Sequence, residues 1–272
     1  MALAIMLYLY KCNDYVKKAG AKMRAQITLT PSESKRLIAK GVAAFPSVQN
    51  ALKDHTIIVA GGTTNAFLIE ELIGESIEKK STYTVGIVTR GKTGVTTVDN
   101  RIHPFVITKG KAREKEFRWK SYLTELEPGD IFIKGGNAVD HTGLAGVLSS
   151  DNMGGTIGTA WGAVMQRKIE FIVPVGLEKL VPDVREAVEF LSGHPIDKAT
   201  GDKIALMPML GATVVTEITA LELLYDIKAK CVSAGGVDGS EGAIVLVLEG
   251  EKEKIDIAFE EIEFLKGEPQ VK

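Results

Sequence analysis

Short apolar runs that end directly in paired glycines are the feature of this chain that most limits its possible folds. One run covers residues 56–60 and is followed by glycines at 61–62; another covers 130–134 and is followed by glycines at 135–136. A continuous apolar run of this kind is typical of a strand buried on both faces, as in a parallel sheet. Apolar residues with helical spacing then follow over 66–73. The alternation predicts an α/β protein with an open, mostly parallel sheet and helices on both faces.

The pattern changes after about residue 192. The predicted order becomes strand, helix, strand, strand, helix, which is most of a ferredoxin-like split unit. We therefore expect a small ferredoxin-like α+β domain behind the larger sheet. The predicted division is an N-terminal extension over 1–22, an α/β ligand-binding core domain over 23–200, and the small domain over 201–272.

The first ten residues are apolar, but a membrane-spanning helix needs roughly 20. No basic segment precedes this run and no small-residue cleavage site follows it, which disfavours a signal peptide. We expect residues 1–22 to lie outside the core, either because the start codon is assigned too early or because they form an extra helix on a partner subunit.

Charge and cysteine content limit the classes of partner and the cellular compartment that we expect for this chain. The chain has 33 basic and 35 acidic side chains, so its formal net charge of −2 favours neither nucleic acid nor an anionic membrane. A basic run over 109–120 is interrupted by Glu114 and Glu116, which favours a solvated strand or loop over a nucleic-acid patch. Cys12 and Cys231 are far apart, which agrees with a reducing, cytoplasmic location. No metal-ligand spacing occurs, and no metal or cofactor is predicted.

The first candidate site is the loop after the run 56–60. It consists of Gly61, Gly62, Thr63, Thr64 and Asn65. Glycines at the junction of a strand and a helix expose unpaired backbone N–H groups, and the helix dipole adds to their attraction for an anion. We expect phosphate binding here; the alternative is a tight turn in which Thr64 or Asn65 only caps the helix.

The second candidate site follows the run 130–134. Its residues are Lys134, Gly135, Gly136, Asn137, Asp140 and His141. A lysine at the end of a buried strand is able to reach a phosphate or an enediolate, and Asp140 and His141 are able to exchange protons. We expect catalytic roles for Lys134, Asp140 and His141; the alternative is an exposed lysine, a turn and a polar cap.

The third candidate site is another glycine-rich loop before a predicted helix. Its ligand-binding residues are predicted to be Gly155, Thr156, Gly158 and Thr159. Such a loop is a candidate anion-binding nest. The alternative is a connection whose glycines allow close helix packing.

These three loops, in this order, resemble the layout of the NagB/RpiA/CoA-transferase-like superfamily. Residues 61–64 resemble the phosphate loop of ribose-5-phosphate isomerase A, and 133–138 are similar to its Lys-Gly-Gly-Gly-Ala segment. Residues 155–159 resemble the corresponding region of LutC-type proteins. The resemblance implies the superfamily's Rossmann-like fold and isomerase-type chemistry. The isomerase's acidic motif is absent from residues 124–130, and its glutamate base has no counterpart near Gly143.

Two functions are therefore expected. The first is a sugar-phosphate isomerase-like enzyme acting on a small phosphorylated or carboxylated metabolite, with Lys134 facing negative charge and Asp140 carrying the proton. The second is a non-catalytic metabolite sensor or oligomerisation protein that uses the same pocket. We expect a homo-oligomer in either case.

Overall fold

The computed structural model describes residues 21–97, 101–113 and 119–271. The predicted extension over 1–22 lies almost wholly outside the described residues. The helices are α1 Pro31–Ala44, α2 Pro46–Asp54, α3 Thr63–Ile73, α4 Trp119–Tyr122, α5 Gly155–Gln166, α6 Val184–Leu191, α7 Glu217–Tyr225 and α8 Lys252–Phe264. The strands are β1 Lys22–Leu29, β2 Thr56–Val59, β3 Gly86–Thr89, β4 Lys92–Val95, β5 Phe105–Thr108, β6 Lys111–Ala112, β7 Ile131–Ile133, β8 Ala138–Val139, β9 Ala145–Ser149, β10 Glu170–Pro174, β11 Ala205–Pro208, β12 Thr213–Val215, β13 Lys228–Ala234 and β14 Ile244–Glu251.

The main sheet has six strands in the order β12-β10-β7-β2-β5-β6. The first four are mutually parallel. Strands β5 and β6 add an antiparallel edge beside β2. The prediction of an α/β protein is confirmed, and its sheet is mixed and partly parallel. The antiparallel edge was not predicted, because the pairing direction of β5 is set by contacts that are distant in sequence.

Both faces of this sheet are buried, which explains the continuous apolar runs. In β7, Ile131 and Ile133 pack into one cluster with α1, α2 and α3. The intervening Phe132 packs into a second cluster that contains Trp119 of α4 and Ile157 of α5. Because side chains alternate along a strand, both positions must be apolar when helices cover both faces.

A smaller antiparallel sheet has the order β1-β14-β13. Its buried side chains form a third cluster with α7 and α8 that includes Ile27, Leu246, Leu221 and Ile255. Strand β1 pairs with β14 from Lys22↔Glu251 to Leu29↔Ile244. Strand β12 joins the main sheet beside β10. Both pairings cross the predicted boundary between residues 200 and 201, and the domain limits stay predictions.

The remaining strands form a β11-β9-β8 sheet and a β3-β4 hairpin. The described part of the basic run 109–120 includes the turn at Lys109 and Gly110 between β5 and β6. Within residues 21–97, 101–113 and 119–271, no helix has the length and apolar character needed to cross a membrane.

Candidate functional site

One cavity of about 1120 Å³ is lined by residues from all three predicted loops. The predicted residues that line it are Gly61, Gly62, Thr63, Thr64, Lys134, Gly135, Gly136, Asn137, Gly155 and Thr156. Five predicted residues are not part of this lining: Asn65, Asp140, His141, Gly158 and Thr159. The structure therefore brings most of the predicted binding residues together and separates them from two of the three predicted catalytic residues.

The first two loops meet because their strands are parallel neighbours. Val59 of β2 is in register with Ile133 of β7. The backbone N–H of Ala60 donates to Ile133 O at 2.8 Å, and that of Gly136 donates to Pro174 O of β10 at 3.1 Å. The carboxyl ends of β2, β7 and β10 thus lie at one edge of the sheet, which is where open α/β proteins commonly bind ligands.

Helix α3 begins at this edge with no side-chain cap on its N-terminus. Its first intrahelical bond runs from Ala66 N to Gly62 O at 3.0 Å. The N–H groups of the preceding helical residues, Thr63 and Thr64 among them, have no intrahelical acceptor. Because these two residues line the cavity, the partial positive charge of an eleven-residue helix is directed at it.

Asn65 lies beneath this helix start and is fully buried. Its Nδ2 donates to Ala60 O at 2.7 Å. Among the described residues, its Oδ1 has no hydrogen-bond partner. A Cβ placed on Gly135 would lie 3.9 Å from that Oδ1, so the unpaired acceptor borders the second glycine loop. An unsatisfied buried acceptor has an energetic cost, and it marks a position where an added donor would be stabilised.

Lys134 extends from the end of β7 and is half-buried. Its Nζ donates to Gly61 O at 3.2 Å and to Gly135 O at 3.3 Å. Burial, together with the positive charge of Lys179, lowers the pKa of Lys134 to about 8. Since neither acceptor is charged, the ammonium is not neutralised by these bonds.

Lys179 was not predicted from the sequence. It ends the short 3-10 turn Leu177–Lys179 that follows β10, and its Nζ donates to Gly136 O at 3.2 Å. The pKa of Lys179 is lowered to about 8: burial and the positive charge of Lys35 lower it, and Glu178 and Glu217 oppose this in part. Its position after a buried strand, at the edge of the sheet where the carboxyl ends of the parallel strands lie, was the sequence signal available.

The turn that carries Lys179 is fixed by Glu217, another residue the sequence did not indicate. Glu217 is fully buried at the start of α7. Both of its carboxylate oxygens accept from Leu177 N, at 3.2 and 3.0 Å. Burial raises the pKa of Glu217, although hydrogen bonds from the backbone and from Ser34 oppose this. Glu217 thereby connects α7 to the cationic part of the cavity.

The third glycine loop already holds a carboxylate of the chain itself. Asp151 Oδ1 accepts from Met153 N at 2.8 Å and from Gly155 N at 3.1 Å, next to the start of α5. A Cβ on Gly158 would lie 2.0 Å from Met153 O, so this glycine allows close packing of loop and helix. The Thr159 hydroxyl donates to Gly155 O at 2.9 Å. These contacts suit a tight connection better than an anion nest.

Asp140 has a structural environment away from the cavity. Its Oδ1 accepts from Thr142 N, Thr142 Oγ1 and Leu144 N, at 2.8, 2.6 and 3.2 Å. Its Oδ2 accepts from Val184 N, the first residue of α6, at 3.0 Å. Burial alone would raise the pKa of this carboxyl, but these hydrogen bonds outweigh it and lower the pKa. His141 is exposed, with Nδ1 3.2 Å from Pro182 O.

Within the described parts of the chain, no group of three or more histidine, cysteine, aspartate or glutamate side chains is arranged to hold a metal ion. No protein-family model matches the sequence, and neither a curated protein nor a solved structure is significantly similar to it. The geometry of the cavity is therefore the basis for assigning a function.

Proposed function

We propose that this protein binds a small phosphorylated or carboxylated metabolite at the edge formed by β2, β7 and β10. Lys134, Lys179 and the N-terminus of α3 hold the anionic group. The observation that carries this proposal is that two half-buried ammonium groups line one cavity and donate only to backbone carbonyls among the described residues.

The charge distribution supports an anionic ligand. The lining contains five cationic side chains, Lys35, Lys79, Arg90, Lys134 and Lys179, and three acidic ones, Asp151, Glu178 and Glu241. Lys35 is already paired with Glu178 at 2.6 Å. The positive charge of Lys179 lowers the pKa of Lys134, so an anion beside both lysines would offset this repulsion.

We further propose that the chain has the NagB/RpiA/CoA-transferase-like fold, with a small ferredoxin-like unit and sugar-phosphate isomerase-like activity. The glycine loops after neighbouring parallel strands support this. The exchange of an aldose phosphate and a ketose phosphate moves protons without net oxidation. Under this proposal Lys134 stabilises the enediolate, and no metal or redox cofactor takes part.

A second candidate is a non-catalytic metabolite sensor, and the environment of Asp140 favours it. All four hydrogen bonds to that carboxylate come from residues outside the cavity, so the group expected to carry the proton is engaged elsewhere. In this case the cavity binds the same anion without turnover. For both candidate functions we also predict a homo-oligomer and a cytoplasmic location.

A thermal-shift titration tests the binding. Inorganic phosphate and ribose 5-phosphate should raise the melting temperature of the unaltered protein. In Lys134→Met or Lys179→Met, the same rise should require an at least tenfold higher ligand concentration. Lys230→Met is the matched control, since Lys230 is an exposed lysine on β13 outside the cavity. Equal shifts in all four proteins would refute the proposal. An aldose–ketose isomerisation assay then separates the enzyme from the sensor.

A further inference from the structure

We propose that the ligand has an apolar body next to its anionic group, and that the β3-β4 hairpin covers this body. This inference rests on the proposed anion binding and adds the chemical class of the rest of the ligand. The anionic group lies at Lys134 and Lys179, and the apolar body extends along the hairpin that lines the same cavity.

The size of the cavity leaves room for a ligand larger than an anion alone. Its volume is about 1120 Å³. Pockets that enclose drug-sized ligands have roughly 300–1,000 Å³. A phosphate or a three-carbon sugar phosphate would leave most of this space filled with water. The residues that border the remaining space therefore indicate what else the ligand carries.

The hairpin presents two uncovered valines to this space. Val88 and Val95 both line the cavity and are 71% and 51% exposed. The pairs Gly86↔Val95 and Val88↔Thr93 place both valines on one face of the hairpin, because directly paired residues share a face. Gly86 has no side chain to cover Val95. Burial of both valines against an apolar ligand would remove this surface from water.

The threonines beside the hairpin offer few free protons to a polar ligand. Thr82, Thr84 and Thr96 line the same cavity, and the hydroxyl of each donates to a backbone carbonyl: Lys79 O, Ser81 O and Thr84 O respectively. A hydroxyl has one proton to donate, so these three are already committed. A polyhydroxylated ligand would find fewer donors here than the sequence suggests.

The β9 strand and the start of α5 extend the apolar lining. The half-buried Leu148 contributes to it, and Val147 and Ile157 lie buried directly behind. Asp151, which caps α5, also lines this part of the cavity and would repel a second anionic group. The one charged lining residue of the hairpin, Arg90, is exposed at its turn with a φ of 50°. These features favour a ligand that is anionic at one end and apolar over its remaining length.

The test is calorimetric titration with inorganic phosphate, methyl phosphate, butyl phosphate and hexyl phosphate. We expect affinity to rise roughly fourfold for each added methylene between methyl and hexyl phosphate. The variant Val88→Thr/Val95→Thr keeps side-chain shape and should lose most of this gain while binding inorganic phosphate as before. Val232→Thr is the matched control, since Val232 is 58% exposed on β13 and does not line the cavity.

The outcomes separate this inference from the proposed function. Failure of inorganic phosphate to bind, or to displace hexyl phosphate, overturns the proposed anion site and this inference with it. Phosphate binding with equal affinities for methyl and hexyl phosphate overturns only the apolar body. A chain-length gain that persists in Val88→Thr/Val95→Thr overturns the role of the hairpin.

Discussion

Lys134 and Lys179 bind neighbouring parts of the same cavity wall, one through Gly61 O at 3.2 Å and the other through Gly136 O at 3.2 Å. Each ammonium donates to an uncharged carbonyl oxygen, so these hydrogen bonds do not neutralise its positive charge. Burial of the two ammonium groups is unfavourable for folding, and at Lys179 the carboxylates of Glu178 and Glu217 offset it only in part. Both ammonium groups lie at the edge where the parallel strands end, which is the arrangement expected of a binding site for anions.

Stability should increase at alkaline pH because of these two lysines. In the folded protein both have a pKa of about 8, whereas an unfolded lysine keeps a pKa near 10.4. The folded state therefore loses protons first as pH rises from about 8 to 10.5, and the free energy of unfolding increases over this window. The gain is on the order of 3 kcal/mol per lysine at most. Urea denaturation at pH 7 and pH 9.5 measures it.

The double variant Lys134→Met/Lys179→Met provides the control for this pH dependence. It should be more stable than the unaltered protein at pH 7, where both lysines are charged, and its stability should change much less between pH 7 and pH 9.5. An unchanged pH dependence in the double variant would show that other groups titrate over this range.

Asp140 should act on stability and leave ligand affinity unchanged. Asp140→Asn replaces one carboxylate oxygen by an NH₂ group. This group would face either the Val184 N–H or the donors at Oδ1, so a donor would meet a donor and a hydrogen bond would be lost. We expect a loss of about 2–3 kcal/mol in the free energy of unfolding near neutral pH. Because the folded-state pKa is lowered, this contribution should disappear as pH falls below about 4.

Denaturation and phosphate titration of the same Asp140→Asn sample distinguish the two roles. The exposed Asp197 offers a matched control, Asp197→Asn, which should change neither property. If Asp140→Asn keeps full stability but loses phosphate affinity or turnover, that result would support the catalytic role expected from the sequence.

The sequence predicted the parts of the site that depend on local chemistry. The apolar runs at 56–60 and 130–134 revealed strands buried on both faces, and the glycines after them revealed the turns that line the cavity. Lys179 was missed because a 3-10 turn of three residues has no periodicity to detect. The catalytic role expected for Asp140 follows from its place beside His141, whereas its hydrogen bond from Val184 N could not be predicted because the two residues are far apart in sequence. The β1-β14 pairing was missed for the same reason.

The contact of α1 with α7 should depend on the absence of a side chain at Gly41. A Cβ there would lie 2.5 Å from Ala220 Cβ and 2.9 Å from Ala220 Cα. Gly41→Ala should therefore lower the free energy of unfolding by about 1–3 kcal/mol. Gly162→Ala, in the interior of α5 with nothing within 4 Å of the added Cβ, should raise it by roughly 0.5–1 kcal/mol. Thermal denaturation of both variants measures the difference.

A stabilised Gly41→Ala variant would mean that α1 and α7 do not approach as described. The comparison matters for the site because α7 carries Glu217, whose carboxylate fixes the turn that ends in Lys179. We expect Gly41→Ala to weaken phosphate binding as well, whereas Gly162→Ala should leave it unchanged.

Proton uptake on anion binding tests the central claim most directly. At about pH 8.5 a bound phosphate should raise the pKa of Lys134 and Lys179, both about 8 in its absence, so the protein should take up protons as it binds. Calorimetric titration in two buffers of different ionisation enthalpy measures this uptake. We predict net uptake in the unaltered protein and in Lys230→Met, and none in Lys134→Met/Lys179→Met. Phosphate binding without proton uptake, or equal uptake in the double variant, would contradict the assignment.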